Sequence, residues 1–137
     1  FYGWPFCYAD KIQDKSFDSS KQATQKCSES IPPKVKMQAH SAPLGLEFVP
    51  NNWPERYNDD LLVAFHGSWN RTEPTGYKIV RIQLDENGDY ESVEDFITGW
   101  LTDNGEVLGR PVDIESNGDD LYISDDKAGV IYKLSIK

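Results

Sequence analysis

The sequence predicts an all-β chain. Short apolar runs are separated by turn residues at close intervals, and no segment sustains the three-to-four periodicity of an amphipathic helix. One strand pattern also occurs twice. Leu61-Leu62-Val63-Ala64-Phe65 runs into His66-Gly67-Ser68-Trp69-Asn70-Arg71, and Leu121-Tyr122-Ile123-Ser124 runs into Asp125-Asp126, the two starts lying 60 residues apart.

The elements follow in order. Leu44 to Val49 is a strand entered through Ala42-Pro43. A turn-rich connection, Asn51 to Asp60, follows, with Trp53 and Tyr57 placed to cover a sheet end. Leu61 to Phe65 is the central strand. Over Tyr77 to Leu84 the alternation predicts Val80, Ile82 and Leu84 facing inward, with Ile79, Arg81 and Gln83 on the other face. Asp85-Glu86-Asn87-Gly88-Asp89 is a turn, and Tyr90 to Ile97 is a more polar outer strand. A second round reads Pro111 to Glu115, Leu121 to Ser124 and Val130 to Leu134, joined by turns at 116–119 and 125–129. Four-stranded antiparallel units repeated along a chain are the pattern of β-propeller blades. The predicted fold is therefore a β-propeller fragment of about two such blades, with a sandwich as the alternative. Residues 1–43 hold the end of a preceding blade and a long loop, 44–110 one blade with its connection, and 111–137 the start of the last blade. Because each blade buries its faces against neighbours, these pieces need other blades, or another chain, to cover their open edges.

Before the first strand, Phe1 to Tyr8 is densely aromatic, and the segment 9–30 is polar, with a helical turn expected around Ser20 to Gln25. Pro32-Pro33 enforces an extended segment. Cys7 and Cys27 flank the polar loop. Joining them closes about 20 residues and removes roughly 3 kcal/mol of unfolded-state entropy; two unrelated thiols are the alternative. A disulfide places the protein outside the cytosol, extracellular or periplasmic. Asn70-Arg71-Thr72 is a glycosylation acceptor triplet compatible with that compartment, of a kind that also arises by chance.

Charge narrows the partners. With 14 basic and 23 acidic residues, a formal −9, the chain has no cationic cluster to release counterions, which excludes a general nucleic-acid binder. No run of 18 apolar residues exists to span a bilayer. His40, His66, Trp69, Arg71, Trp100 and Arg110 all fall at strand ends or in connections, where side chains converge on a propeller mouth. The two histidines lack metal-ligand spacing, and Asp125-Asp126 lacks the spaced donors of a calcium loop, so no metal ligands are assigned. Arg110 reads either as a salt bridge to Asp113 or another carboxylate, or as a planar fork for an anionic ligand. Arg71 has the same two readings. Trp4-Pro5 and Gly99-Trp100 read as packing groups that cap blades.

Several stretches together resemble the C-terminal part of the glucose/sorbosone dehydrogenase family. They are Tyr2-Gly3-Trp4-Pro5-Phe6-Cys7-Tyr8, Ala39 to Leu46, Phe65 to Arg71, Gly76-Tyr77-Lys78, Asp95 to Trp100 and Gly109-Arg110-Pro111-Val112. The nearest branch is similar to L-sorbosone dehydrogenases and the fungal pyranose dehydrogenases that depend on pyrroloquinoline quinone (PQQ). The resemblance implies a six-bladed propeller carrying PQQ and calcium, acting on a small sugar and an electron acceptor. It implies a histidine base that takes the sugar hydroxyl proton, hydride transfer to the quinone, and calcium as Lewis acid. Base and calcium site are both expected upstream of Phe1, so no catalytic residue is assigned here. His40 stands where the soluble glucose dehydrogenase branch has a threonine beside the quinone, and His66 where it has a lysine. Arg110 matches an arginine that pairs with a cofactor carboxylate, while that branch's next arginine is Val112 here; Arg71 is placed to replace it. The implied function is the C-terminal portion of a PQQ-dependent sugar dehydrogenase that supplies part of the cofactor rim. The alternative is a non-catalytic propeller module that binds carbohydrate or protein.

Overall fold

A computed structural model of the chain describes residues 1–136. They fall into two compact units, Phe1–Lys36 and the remainder from Met37.

The first unit carries a two-stranded hairpin, β1 (Cys7–Tyr8) and β2 (Ile12–Gln13), followed by helix α1 (Lys21–Glu29). Cys7 and Cys27 form a disulfide with their Cα atoms 5.6 Å apart. The helix extends beyond the expected single turn. Ser20 caps it, its Oγ accepting from the Ala23 N–H at 3.1 Å. Its buried face consists only of Ala23 and Cys27, one turn apart, too few apolar positions to register as a period in the sequence. Phe6 meets Phe1 and Phe17 edge to face, with Lys26 Nζ 4.0 Å above its ring. Trp4 and Tyr2 are exposed.

The second unit contains two antiparallel sheets. β3 (Pro43–Phe48), β4 (Leu61–Phe65), β5 (Lys78–Leu84) and β6 (Tyr90–Ile97) form a four-stranded meander in chain order. β7 (Pro111–Asn117), β8 (Asp120–Asp125) and β9 (Val130–Ser135) form a three-stranded one. Strand content dominates, and the architecture is that of a partial β-propeller. The sequence supplies the turns. In the β5–β6 turn, Asp85 Oδ1 accepts from the N–H groups of Asn87 and Asp89, and Gly88 takes the left-handed conformation. Gly118 does the same in the tight β7–β8 turn.

The core lies between the sheets. Leu62, Ala64 and Ile79 of the first sheet meet Ile114, Leu121 and Ile123 of the second, with Trp53 and Trp100 among them. β3 lies against β7, and at Gly45 the backbones come so close that a Cβ would sit 2.4 Å from the Asp113 Cα. Trp53 covers one end of the core as expected, donating from Nε1 to the Asp119 carbonyl at 2.7 Å and packing edge to face on Tyr57.

β5 departs from simple alternation. Val80 and Ile82 are buried, but so are Ile79 and Arg81 on the opposite face, and Leu84 is only half-buried. A strand buried on both faces loses the polar alternation that marks a solvated face. Arg81 is tolerated inside because its guanidinium is fully engaged. It pairs with Asp60, donates to Glu94 at 2.8 Å and to the Arg56 carbonyl, and lies 4.6 Å from the Tyr57 ring.

Candidate functional site at one end of the two sheets

The pairings Pro43↔Phe65 and Pro111↔Asp125 place four chain segments at the same end of their sheets. His40-Ser41-Ala42 enters β3, His66-Gly67-Ser68 leaves β4, Gly109-Arg110 enters β7, and Asp126 follows β8. His66 and Asp126 occupy equivalent places in the two copies of the strand pattern. Their side chains meet, His66 Nε2 lying 3.0 Å from Asp126 Oδ1.

Arg110 ties this end together. Its Nε donates to the His66 carbonyl at 3.1 Å and its Nη2 to the Gly67 carbonyl at 2.5 Å. Its guanidinium carbon lies 5.5 Å from the Tyr77 ring centre. The salt bridge to Asp113 does not form. The backbone N–H of Arg110, rather than its side chain, meets a carboxylate, donating to Asp125 Oδ1 at 2.9 Å. Two peptide carbonyls on neighbouring residues match a guanidinium fork, whereas Asp113 is held by its own strand beside Gly45.

Asp125 is the buried charge of the site, 3% exposed. Burial works against its ionised form. The N–H groups of Ala128 and Arg110, the Trp100 side chain and the Tyr132 hydroxyl outweigh it and hold the carboxyl below the usual carboxylate range. A Cβ at Gly109 would lie 2.0 Å from Asp125 Oδ2 and 2.6 Å from Trp100, so only glycine fits beside this carboxylate. Trp100 thus packs as expected, 5.7 Å from Tyr132 in an edge-to-face pair.

The β4–β5 loop is braced at its base. His66 and Gly67 donate their N–H groups to the Ala42 and Ser41 carbonyls at 3.0 and 2.9 Å. Ser68 and Thr75 exchange two hydrogen bonds, and the Tyr77 hydroxyl donates to the Ser68 carbonyl. Gly67, at φ 97°, lies against the Tyr77 ring, where a Cβ would be 2.5 Å away. Ser41 is fully buried, and among the described residues its Oγ has no hydrogen-bond partner.

The predicted site residues separate into two groups. His66 and Arg110 are brought together. His40 stands exposed just before β3 in a left-handed conformation, φ 66°. Arg71 and Asn70 are exposed in the β4–β5 loop, beside Trp69, which is 85% exposed. Asp125, Asp126 and Ser41 belong to this end but were not singled out from sequence as site residues. The 60-residue offset between His66 and Asp126 is the signal that pairs them.

A family model described as TrAA12-like matches residues 1–137. The chain belongs to that family. Among relatives, this TrAA12-like chain is 33% identical over 136 residues to an uncharacterised protein of Borreliella burgdorferi, covering 97% of this chain and 35% of the relative. It is 30% identical over 165 residues to the PQQ-dependent pyranose dehydrogenase of Coprinopsis cinerea, covering 96% of this chain and 22% of that protein. Among solved structures, the holo form of the pyranose dehydrogenase PQQ domain of Coprinopsis cinerea superposes with a TM-score of 0.69 at 26% identity, over 97% of this chain and 39% of that one. The TrAA12-like chain thus spans 35% of one of these relatives and 22% of the other.

The donor set at this end suits an anionic planar group in part. His66 and Arg110 meet there, with Asp126 on one nitrogen of His66 and two peptide carbonyls accepting from Arg110, whereas His40 and Arg71 stand exposed in their own loops. Among the described residues no three of His, Cys, Asp and Glu are grouped to hold a metal ion. No described helix is long and apolar enough to cross a membrane.

Proposed function

We propose that this chain forms part of the cofactor rim of a secreted or periplasmic PQQ-dependent sugar dehydrogenase. The observation that carries the proposal is the convergence of His66, Arg110 and Asp126 at one end of two propeller sheets, in a TrAA12-like chain. When bound, PQQ supplies the acceptor for the hydride of a sugar hydroxyl or aldehyde.

This chain's own residues bind and orient. Arg110 Nη1 offers a charged donor to one cofactor carboxylate, and its other nitrogens lock the His66 and Gly67 peptides so that the fork cannot swing away. His66 is oriented by Asp126 through Nε2, which leaves Nδ1 to face a ligand. His40 and Arg71 extend the donor set from the neighbouring loops. The proton acceptor and the calcium donors are assigned to the rest of a family-length protein. The Cys7–Cys27 disulfide supports an oxidising compartment.

The test is a chimaera in which residues 1–137 replace the matching C-terminal segment of the Coprinopsis PQQ domain. We expect it to bind PQQ, and Arg110→Met to weaken binding at least tenfold with circular dichroism unchanged. A folded chimaera that binds PQQ equally well with and without Arg110 refutes the assignment. Residues 1–137 alone, mixed with PQQ, calcium and aldoses, are expected to reduce no dye. Turnover there refutes the division of labour.

A further inference from the structure

We infer that Asn117 is a site of spontaneous covalent modification, in which its side-chain amide condenses with the Gly118 nitrogen, loses ammonia and is hydrolysed to aspartate or isoaspartate. The inference is independent of the cofactor assignment, since Asn117 ends β7 and Arg110 precedes its start.

Asparagine followed by glycine is the pair most open to this reaction, because glycine puts no side chain in the way of the approach. The chain has three such pairs: Asn87-Gly88, Asn104-Gly105 and Asn117-Gly118. All of these residues are exposed. The glycines share a left-handed backbone, with φ 75°, 80° and 65° in chain order, and each has open space around it. Neither exposure nor the conformation of the glycine separates the pairs.

The glycine N–H does. Gly88 donates to the Asp85 carbonyl and Gly105 to the Thr102 carbonyl, each at 2.9 Å, so both glycines close a turn that starts three residues earlier. Asn87 is held further, its N–H donating to Asp85 Oδ1 at 2.9 Å and its side-chain amide to Asp85 Oδ2 at 3.4 Å. The second turn is fastened between Thr102 and Glu106, which exchange two hydrogen bonds of 3.0 Å. Gly118 stands differently. Asn117 pairs with Asp120, leaving Gly118 and Asp119 as a two-residue loop with glycine at the first central position. The N–H at that position takes no part in the ladder, and among the described residues it has no hydrogen-bond partner.

The reaction runs through that nitrogen. Gly118 gives its amide proton to water, and its nitrogen bonds to the Asn117 Cγ. The Cγ–Nδ2 bond breaks and ammonia leaves with the proton, giving a cyclic succinimide. Water then opens the ring. Cleavage between the nitrogen and Cγ gives aspartate. Cleavage between the nitrogen and the backbone carbonyl carbon gives isoaspartate, whose chain runs through Cγ and is longer by one methylene. One water is consumed, one ammonia is released, and nothing is oxidised or reduced. At Gly88 and Gly105 the turn must open before the nitrogen can react, which scales the rate by the fraction of time it is open.

The product matters because the turn is tethered on both flanks. Trp53 Nε1 donates to the Asp119 carbonyl at 2.7 Å, and Ser116 Oγ donates to Glu47 Oε1 at 2.7 Å. A two-residue loop fits one spacing between its strands, so an added methylene pulls against these tethers and loosens the end of the β7–β8 hairpin.

The test keeps the folded chain in mildly alkaline buffer and follows amide-to-acid conversion at each pair by peptide mapping with mass spectrometry. Conversion at Asn117 is expected at least tenfold faster than at Asn87 and Asn104, and in urea that difference disappears. Comparable rates in the folded chain, or faster conversion at Asn87 or Asn104, overturn the inference. The same ranking in urea also overturns it, since local sequence would then be the cause. If the isolated chain does not hold its sheets, as read by amide exchange along β4 and β5, the mapping is done on the Coprinopsis chimaera with the same criteria. The isoaspartate fraction is then compared with Asn117→Asp, which carries the charge without the added methylene. Faster amide exchange at Asp120–Ile123 is expected in the isoaspartate fraction alone, and equal exchange in the two overturns the effect on the turn.

Discussion

Asp125→Asn tests whether one buried carboxylate holds the end of the second sheet in shape. The carboxylate accepts from the Arg110 N–H at 2.9 Å and the Ala128 N–H at 2.8 Å through Oδ1. Through Oδ2 it accepts from the Tyr132 hydroxyl at 3.3 Å, and the Trp100 side chain also donates to it. Asparagine keeps a carbonyl oxygen for the two backbone donors, but those bonds lose their charge assistance, about half their strength. Its amide then points at Tyr132 and Trp100. The hydroxyl can rotate and accept; the indole N–H cannot, and a buried donor without an acceptor costs about 1–3 kcal/mol. Together the substitution should cost about 2–4 kcal/mol at pH 7, measured by urea unfolding with tryptophan fluorescence. The pH dependence adds a second criterion. The folded carboxyl titrates below its ordinary value, so its stabilisation is complete above the unfolded value of about 3.9 and is lost as pH falls through the folded one. The gap between the two proteins should therefore close below about pH 4, where the protonated wild-type group becomes the neutral neighbour that asparagine imitates. Three other aspartates titrate low: Asp14 through Ser16, Asp18 through the Ser20 N–H, and Asp120 through Lys133. They are common to both proteins and cancel in the difference. A gap under about 0.5 kcal/mol at pH 7, or one that stays constant to pH 3, would refute the reasoning.

Arg81→Met should destabilise the second unit by about 3–5 kcal/mol, because Asp60 is left buried without its partner. Replacing both, Asp60→Leu with Arg81→Met, should recover most of that loss in urea unfolding, and simple additivity would count against the buried pair. Gly67→Ala forces a Cβ to within 2.5 Å of the Tyr77 ring at φ 97° and should cost about 2–3 kcal/mol in the same assay. Cys27→Ser opens a 20-residue loop and should lower the stability of the first unit by about 3 kcal/mol, seen as faster amide exchange along α1. Unchanged exchange there would mean that the helix does not depend on the bridge.

Much of the fold is legible in the chain because strand formation here is local. Turn chemistry at Asp85–Asp89 and at Gly118 marks where the backbone reverses, and the apolar runs between the turns match the observed strands to within a few residues. Helix α1 is underread because its buried face is an alanine and a half-cystine, and the disulfide supplies an anchor that apolar periodicity cannot show. Trp4, a large ring of the kind that is buried on average, is exposed among the described residues. At the candidate site, His66 and Arg110 are visible as polar groups at strand ends. Their partners are not, since a carbonyl carries no residue-specific mark and Asp126 looks like any turn aspartate.

By itself, the sequence determined the all-β class, the turns, the order of the strands and the twofold use of one pattern, because these follow from side-chain alternation and backbone preference within a few residues. Only the tertiary structure decided that Arg81 lies inside, that Arg110 grips the His66 and Gly67 carbonyls instead of Asp113, and that Asp125 is a buried hub. Those outcomes depend on groups tens of residues apart meeting at distances of a few ångströms, and contacts at that range are set by how the two sheets pack.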